Sequence, residues 1–306
     1  MEYMEFIKPD TKIDFVRWMK AAIIISLVII LTGIVSIIWH GGLNYGIDFA
    51  GGSLVQIKFK EEPEIDKIRD NFEGIGLENS IIQTYGTHEL VVRTPEARTD
   101  LKELEAKIGT SLATAYPTGS FEIQRTEVVG PKIGKDLTKK ALLAIIFSWI
   151  GILIYVGFRF EFRYAVGGVI ALIHDVLVTL SIFSLMNKEF DLNIVAAMLT
   201  IIGFSINDTI VIFDRIRENY RKNIRMGQRD IINMSVNQTL SRTILTSLTV
   251  LMVLVVLFLF GGSVIHNFAF TLLVGTVAGV YSSVFIASPV VLLFERIKPS
   301  SRTRKK

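Results

Sequence analysis

Between Ile201 and Asn219 the sequence reads IIGFSINDTIVIFDRIREN, an apolar run of membrane-helix character that carries Asp208 with Asn207 beside it. A carboxylate there has little water to solvate its charge, and it is expensive to place. A side chain that can pass between charged and neutral forms is what a proton relay needs. Asp208 lies six residues before Asp214 at the edge of the run, about 9 Å at helical rise. It is too short and too deep to reach water easily. Thr200, Gly203 and Asn207 form one stripe that Val211 continues, and Ser205 and Asp208 flank it. A small-and-polar strip of this kind faces other helices or water rather than lipid. The competing reading is that Asp208 only bonds a neighbouring helix.

Arg242 is the natural counter-charge. It stands at the start of a later apolar run, among Gln238, Ser241, Thr243, Thr246 and Ser247. Arginine keeps its proton, so it cannot carry one itself. It can hold a carboxylate ionised when close and release it to be protonated when far. The competing reading is an interfacial arginine that snorkels to water. His174 and Asp175 make an adjacent pair in another apolar run. They could extend a proton path, since histidine titrates in the useful range, or serve as an interhelical bond. Asp214 and Arg215 open a charged stretch that reads first as a solvated face and topology signal. In YGIDFAGG, Gly46, Gly51 and Gly52 suit close backbone approach and unusual dihedrals, with Asp48 as a turn residue. A phosphate loop is excluded there, because no GK[ST] follows and a strand comes next. Gly275 and Gly279 form a GxxxG that suits a close helix contact, within the chain or with a partner.

These residues need a membrane to make sense, and the composition supplies one. Half of the 306 residues are apolar and the mean hydropathy is +0.47, concentrated in long runs rather than spread evenly. Runs of roughly 20 apolar residues cross a bilayer. Six occur: Ala21–Trp39, Ala141–Phe158, Tyr164–Leu185, Leu192–Phe213, Thr243–Phe260 and Phe268–Phe294. The first is preceded by some twenty residues and followed by HGGLNYG, which is no cleavage site for a signal peptide. The chain has no cysteine and four histidines, without HExxH or CxxC, so neither disulfides nor a zinc enzyme is expected. No bound cofactor is expected either. The pI of 9.1 reflects topology rather than a nucleic-acid partner. Lys8, Lys12, Arg17 and Lys20 precede the first run, and Arg159 and Arg163 separate the second from the third. Six basic residues from Arg215 to Arg229 lie between the fourth and fifth, and another group follows the sixth. The alternate loops MNKEFD and GGSVIHN hold one lysine between them. By the positive-inside rule both termini are cytoplasmic.

The stretch between the first two spans is polar and long enough for a small domain. Ser53–Phe59 alternates as a strand and Glu64–Gly74 reads as an amphipathic helix. Ser80–Tyr85 and Glu89–Thr94 are strands around Gly86-Thr87-His88, Thr99–Ala115 is a second helix, and Phe121–Val129 a last strand. That order is βαββαβ, the split-βαβ or ferredoxin-like arrangement. The expected fold is therefore a polytopic α-helical membrane protein with one α+β domain. Its divisions are a cytoplasmic segment 1–20, a first transmembrane helix 21–40 and an extracytoplasmic domain 41–139. Transmembrane helices 2–6 follow over 140–295, with a basic cytoplasmic loop 214–242 and a basic cytoplasmic tail 296–306.

Four stretches carry a resemblance: YGIDFAGG, VVGPKIGKDL (Val128–Leu137), IIGFSINDTIVIFDRIREN and NQTLSRTILTS (Asn237–Ser247). Through them nearly the whole chain resembles the SecD/SecF family of protein-export membrane subunits, relatives of the RND transporter superfamily. The resemblance implies a non-enzymatic subunit of the cytoplasmic membrane that pairs with SecD and docks on the SecYEG channel, with SecA and YajC in the wider complex. It implies outward movement of a translocating polypeptide on the proton-motive force. The family gives proton transport to the Asp of SIND and the Arg of TLSR, here Asp208 and Arg242. RND units contain two six-span halves, so one half here implies a second, similar subunit. The rival readings are an RND-type half moving lipid or small molecules, an intramembrane protease using Asp175 and Asp208, and a passive scaffold. The protease reading lacks a GxGD motif.

Overall fold

The computed structural model describes residues 11–297 except 79, 86, 96–100 and 118. Lys8, Gly86, Thr99 and the basic residues from Lys298 onward lie outside the described residues. In chain order the elements are α1 (Phe15–Trp39), α2 (Ile47–Ala50), β1 (Gly52–Phe59), α3 (Ile65–Glu73), β2 (Ile81–Tyr85), β3 (Glu89–Thr94), α4 (Leu101–Ala115) and β4 (Phe121–Val129). They continue with α5 (Pro131–Arg159), α6 (Phe162–Leu185), α7 (Leu192–Lys222), α8 (Gln228–Phe260), α9 (Gly262–Ser282), a π turn (Ser283–Ala287) and α10 (Ser288–Ile297). The chain divides into two compact units: a helical one of residues up to 43, 143–188 and 193 onward, and a second of 44–142 with 189–192.

Six helices are long and apolar enough to cross a membrane: α1, α5, α6, α7, α8 and the stretch Val264–Phe294 running from α9 through the π turn into α10. All six expected spans are present. The expected loop 214–242 is not a loop, because α7 continues to Lys222 and α8 begins at Gln228. The reason is amphipathicity. Ile216, Ile231, Ile232 and Val236 are buried, so this charged stretch keeps one apolar face against the bundle. Hydropathy alone marks only where a helix is oily all round. Likewise α5 starts ten residues before Ala141, at Pro131, which suits the first helical position because its missing N–H would go unbonded there.

The core of the helical unit gathers Val156, Tyr164, Ile212, Phe213, Ile232 and Val291. Small residues let helices approach. A Cβ on Gly279 would lie 2.9 Å from the Ser205 Cβ, and one on Gly275 would overlap Ile201. The GxxxG of the last span is therefore a contact within the chain, onto α7.

In the second unit the sheet order is β2-β3-β1-β4, and each neighbouring pair is antiparallel. Val55, Ile57 and Phe59 of β1 and Leu90 and Val92 of β3 pack on Ile68 and Phe72 of α3 and on Leu104, Ile108 and Leu112 of α4. Alternation along the strands meets an apolar stripe on each helix, which is why βαββαβ closes into one layer of helices on one sheet face. Gly51 and Gly52 have φ of 78° and 116°, conformations that favour glycine. Any side chain on Gly52 would collide with the Thr94 carbonyl. The single turn α2, ahead of these glycines, was not expected from the sequence.

Candidate functional site

Helix α7 buries Ser205, Asp208, Thr209 and Ile212, a spacing of three and four that makes one face. Thr200, Gly203 and Asn207 lie on the exposed side of the same helix, so the expected stripe and the acid do not share a face. Asp208 is 4% exposed. Its Oδ2 accepts a hydrogen bond from Ser247 Oγ of α8 at 3.3 Å.

Arg242 is on α8, five residues before Ser247, about 7.5 Å along the axis. Among the described residues it makes no ion pair with Asp208. Instead Arg242 is exposed and lines a cavity of about 470 Å³ with Asp214, Arg215, Glu218 and Gln238. The direct hydrogen-bond partner of Asp208 on α8 is thus the Ser247 hydroxyl, with Arg242 lining the polar cavity nearby. The cause is register: the residue of α8 facing Asp208 is Ser247, and Arg242 points into the polar cavity.

Asp214 and Arg215 sit where α7 leaves its apolar stretch. Arg215 pairs with Glu218 at 2.7 Å, and Lys222 pairs with the same carboxylate at 2.6 Å. Asn219, buried beside them, donates to Ser235 Oγ at 2.9 Å and to Gln238 Oε1 at 2.8 Å, fastening α7 to α8. Asn237 of α8 accepts from the Ile13 amide at 2.9 Å and donates to the Ile13 carbonyl at 2.8 Å, which fixes the chain ahead of α1. Sequence reasoning missed both asparagines. The only available signal was an amide side chain next to apolar positions in a charged stretch.

His174 and Asp175 are buried on α6. His174 Nδ1 lies 3.1 Å from Asp175 Oδ1 and its Nε2 lies 2.8 Å from Ser26 Oγ of α1. Asp175 Oδ2 accepts from Ser205 Oγ of α7 at 2.6 Å. A buried polar chain therefore joins α1, α6 and α7, and it ends on a residue one helical turn from Asp208. Asp175 and Asp208 are held by different hydroxyls, those of Ser205 and Ser247.

Gly46, Asp48, Gly51 and Gly52 belong to the second unit. Asp48 Oδ2 accepts from the Leu192 amide at 2.9 Å, so Asp48 does more than close a turn. Arg93 and Glu189, which sequence reasoning passed over, form an ion pair of 3.2 Å with both side chains buried. No cluster of His, Asp and Glu suited to a metal occurs among the described residues.

Comparison with known proteins places these features. Residues 108–297 match the family described as "Protein export membrane protein SecD/SecF, C-terminal", and residues 36–62 match the "SecD/SecF GG Motif". The chain is 43% identical to a protein translocase subunit SecF of Calditerrivibrio nitroreducens, over 97% of this chain and 99% of that one. It is 42% identical to a protein translocase subunit SecF of Escherichia coli O157:H7, over 91% and 87%. The crystal structure of SecDF from Thermus thermophilus, a translocon-associated membrane protein, superposes with a TM-score of 0.82 at 33% identity, covering 94% of this chain. The chain spans 39% of that longer protein.

Proposed function

The chain belongs to the SecD/SecF family of protein-export membrane proteins, and we propose that within it Asp208 and Arg242 form a proton-driven switch that powers polypeptide export. The chain is an auxiliary subunit of the Sec protein translocase, a multi-pass membrane protein. SecD is its partner in the translocase, since similar structures join both in one SecDF chain. The exposed Thr200, Gly203 and Asn207 stripe of α7 suits close packing by that second half. By the same family resemblance the channel is SecYEG, with SecA and YajC in the wider complex.

The observation that carries the relay reading is the burial of Asp208 inside the bundle with one hydroxyl as its partner. In the cycle a proton arrives from outside, neutralises Asp208 and leaves to the cytoplasm. When the acid is charged, Arg242 is drawn toward it. When it is neutral, Arg242 relaxes to the polar cavity beside Asp214 and Glu218. The Asp175–His174–Ser26 chain, linked through Ser205, supports this path from the same buried face of α7, one turn before Asp208. Asn207 sits on the exposed face next to Asp208 and would meet the partner half.

Orientation follows the charge pattern: both termini in the cytoplasm and the ferredoxin-like domain outside it, in the cytoplasmic (inner) membrane. There the domain holds or blocks back-sliding of the emerging polypeptide. The test is depletion. Membranes lacking only this subunit should lose the part of translocation that depends on the proton-motive force, and adding it back should restore that part. Unchanged force dependence would overturn the reading.

A further inference from the structure

Four residues at the entry to α7, Glu189–Leu192, belong to the βαββαβ unit rather than to the helical one. Their attachment is specific. The Phe190 amide donates to the Asn44 carbonyl at 2.7 Å, and the Phe190 carbonyl accepts from the Gly46 amide at 2.9 Å, a parallel bridge centred on Tyr45 and Phe190. The rings of Tyr45, Phe49 and Phe190 pack with centroids 5.6 to 6.2 Å apart. Glu189 lies against Arg93, and the same guanidinium nitrogen donates to the Tyr45 carbonyl at 3.3 Å. A Cβ on Gly46 would come 2.7 Å from the Glu189 carboxylate, so a glycine at that position is what admits it. Finally, Asp48 takes the amide of Leu192, the first residue of α7. That amide is one of the donors a helix cannot satisfy internally, and a carboxylate there also complements the helix dipole.

A buried ion pair contributes little net stability, but breaking one partner leaves an uncompensated charge, so the pair selects one arrangement over others. What it selects here is the position of the segment that starts α7. That helix is uninterrupted from Leu192 to Lys222 and carries Asp208 sixteen residues from its start. We propose that Arg93, Glu189 and Asp48 make a pinned joint through which movement of α7 reaches the βαββαβ domain. The joint stays closed throughout the cycle. This rests on the relay reading above.

The test uses full-length variants in membranes with the partner subunits present. Two readouts are taken: export at fixed proton-motive force, and labelling of Asp208 by dicyclohexylcarbodiimide, which reports the protonated acid independently of export. Glu189→Ala and Arg93→Ala should lower force-dependent export tenfold or more while leaving Asp208 labelling unchanged. Asp48→Ala should lower it severalfold, and Asp48→Asn, which keeps an acceptor for the Leu192 amide, should stay within twofold of the parent. The chain has no cysteine, so the double variant Tyr45→Cys/Phe190→Cys places a unique disulfide across the bridge. Oxidising it in the Glu189→Ala background should restore export. The proposal is overturned if Glu189→Ala exports normally in membranes where Asp208→Asn does not, or if the disulfide alone halts export. Should Glu189→Ala fail to insert, equal export by Asp48→Ala and the parent overturns it. Normal export by Asp208→Asn would instead remove the relay on which the joint depends.

Discussion

Replacing Asp208 by asparagine isolates the charge from the shape. The substituted amide is nearly isosteric with the carboxylate and can still accept from Ser247, whose Oγ lies 3.3 Å from Asp208 Oδ2. The structural loss is a weakened hydrogen bond, about 1 kcal/mol, too little to prevent insertion. The functional loss is larger. One elementary charge crossing 100 mV releases about 2.3 kcal/mol. At about 1.36 kcal/mol per tenfold in rate, that is about fifty-fold. At half that potential the same arithmetic gives about sevenfold, and at zero potential nothing. The assay is translocation of a labelled polypeptide into inverted membrane vesicles with the potential set by potassium diffusion. The parent should rise with potential up to that ceiling, whereas Asp208→Asn should give a flat line through the parent's zero-potential value. A variant that keeps the parent's slope would refute the reasoning, because a permanently neutral side chain cannot couple to the field. A uniform drop at every potential with the parent's slope intact is the same refutation, because the force dependence would then survive without the acid.

Other substitutions test the supporting parts. Arg242→Lys should retain part of the force dependence, since the charge survives on a shorter-range donor, and Arg242→Ala should lose it; the same vesicle assay separates them. Gly275→Leu would force a side chain into Ile201, and overpacking of that kind costs about 1–3 kcal/mol; a lower thermal midpoint in detergent would register it. Leu104→Ala empties a fully buried position between α4 and the sheet and should destabilise the βαββαβ unit by about 2–5 kcal/mol. Faster limited proteolysis of the full chain within 44–142, with the helical unit unchanged, is the expected signature.

The parts of this architecture that announce themselves in sequence are those set by continuous physical signals. Twenty oily residues in a row have few alternatives to a span, and strands alternating with apolar-striped helices between two spans left βαββαβ as the simple solution. Asp208 was legible because a carboxylate in an oily run is costly and therefore conspicuous. What stayed hidden depended on register between distant elements. The sequence put an arginine and an acid in adjacent spans, but it did not say that Ser247 faces Asp208 while Arg242 faces Asp214 and Glu218. Charged residues also misled where one face was covered. Residues 214–222 and 228–242 looked like loop because they are basic, yet Ile216, Ile232 and Val236 carry them as helix. Glu189 sat in a short connection that served as a topology marker, and nothing local reveals its pairing with Arg93 in a strand ninety-six positions earlier.

The separation of Asp208 from Arg242 bears directly on how a switch would operate. If the two were locked together in a buried bidentate pair, protonating the acid would strand a charged guanidinium in the bundle, and the barrier to each cycle would be high. The arrangement seen avoids this. The acid rests on a hydroxyl that can donate to it when charged and accept from it when neutral. The guanidinium rests in a polar cavity with two carboxylate-bearing neighbours, Asp214 and Glu218. Each group thus has a partner class in its place, which is what a switch between two protonation states would require. Moving Arg242 toward Asp208 would then need a displacement of α8 or a change of side-chain rotamer, the kind of motion that helix shifts supply. The side of α7 next to this path, with Thr200, Gly203 and Asn207, is open on this chain. A second six-span half would pack against that stripe of small and polar residues.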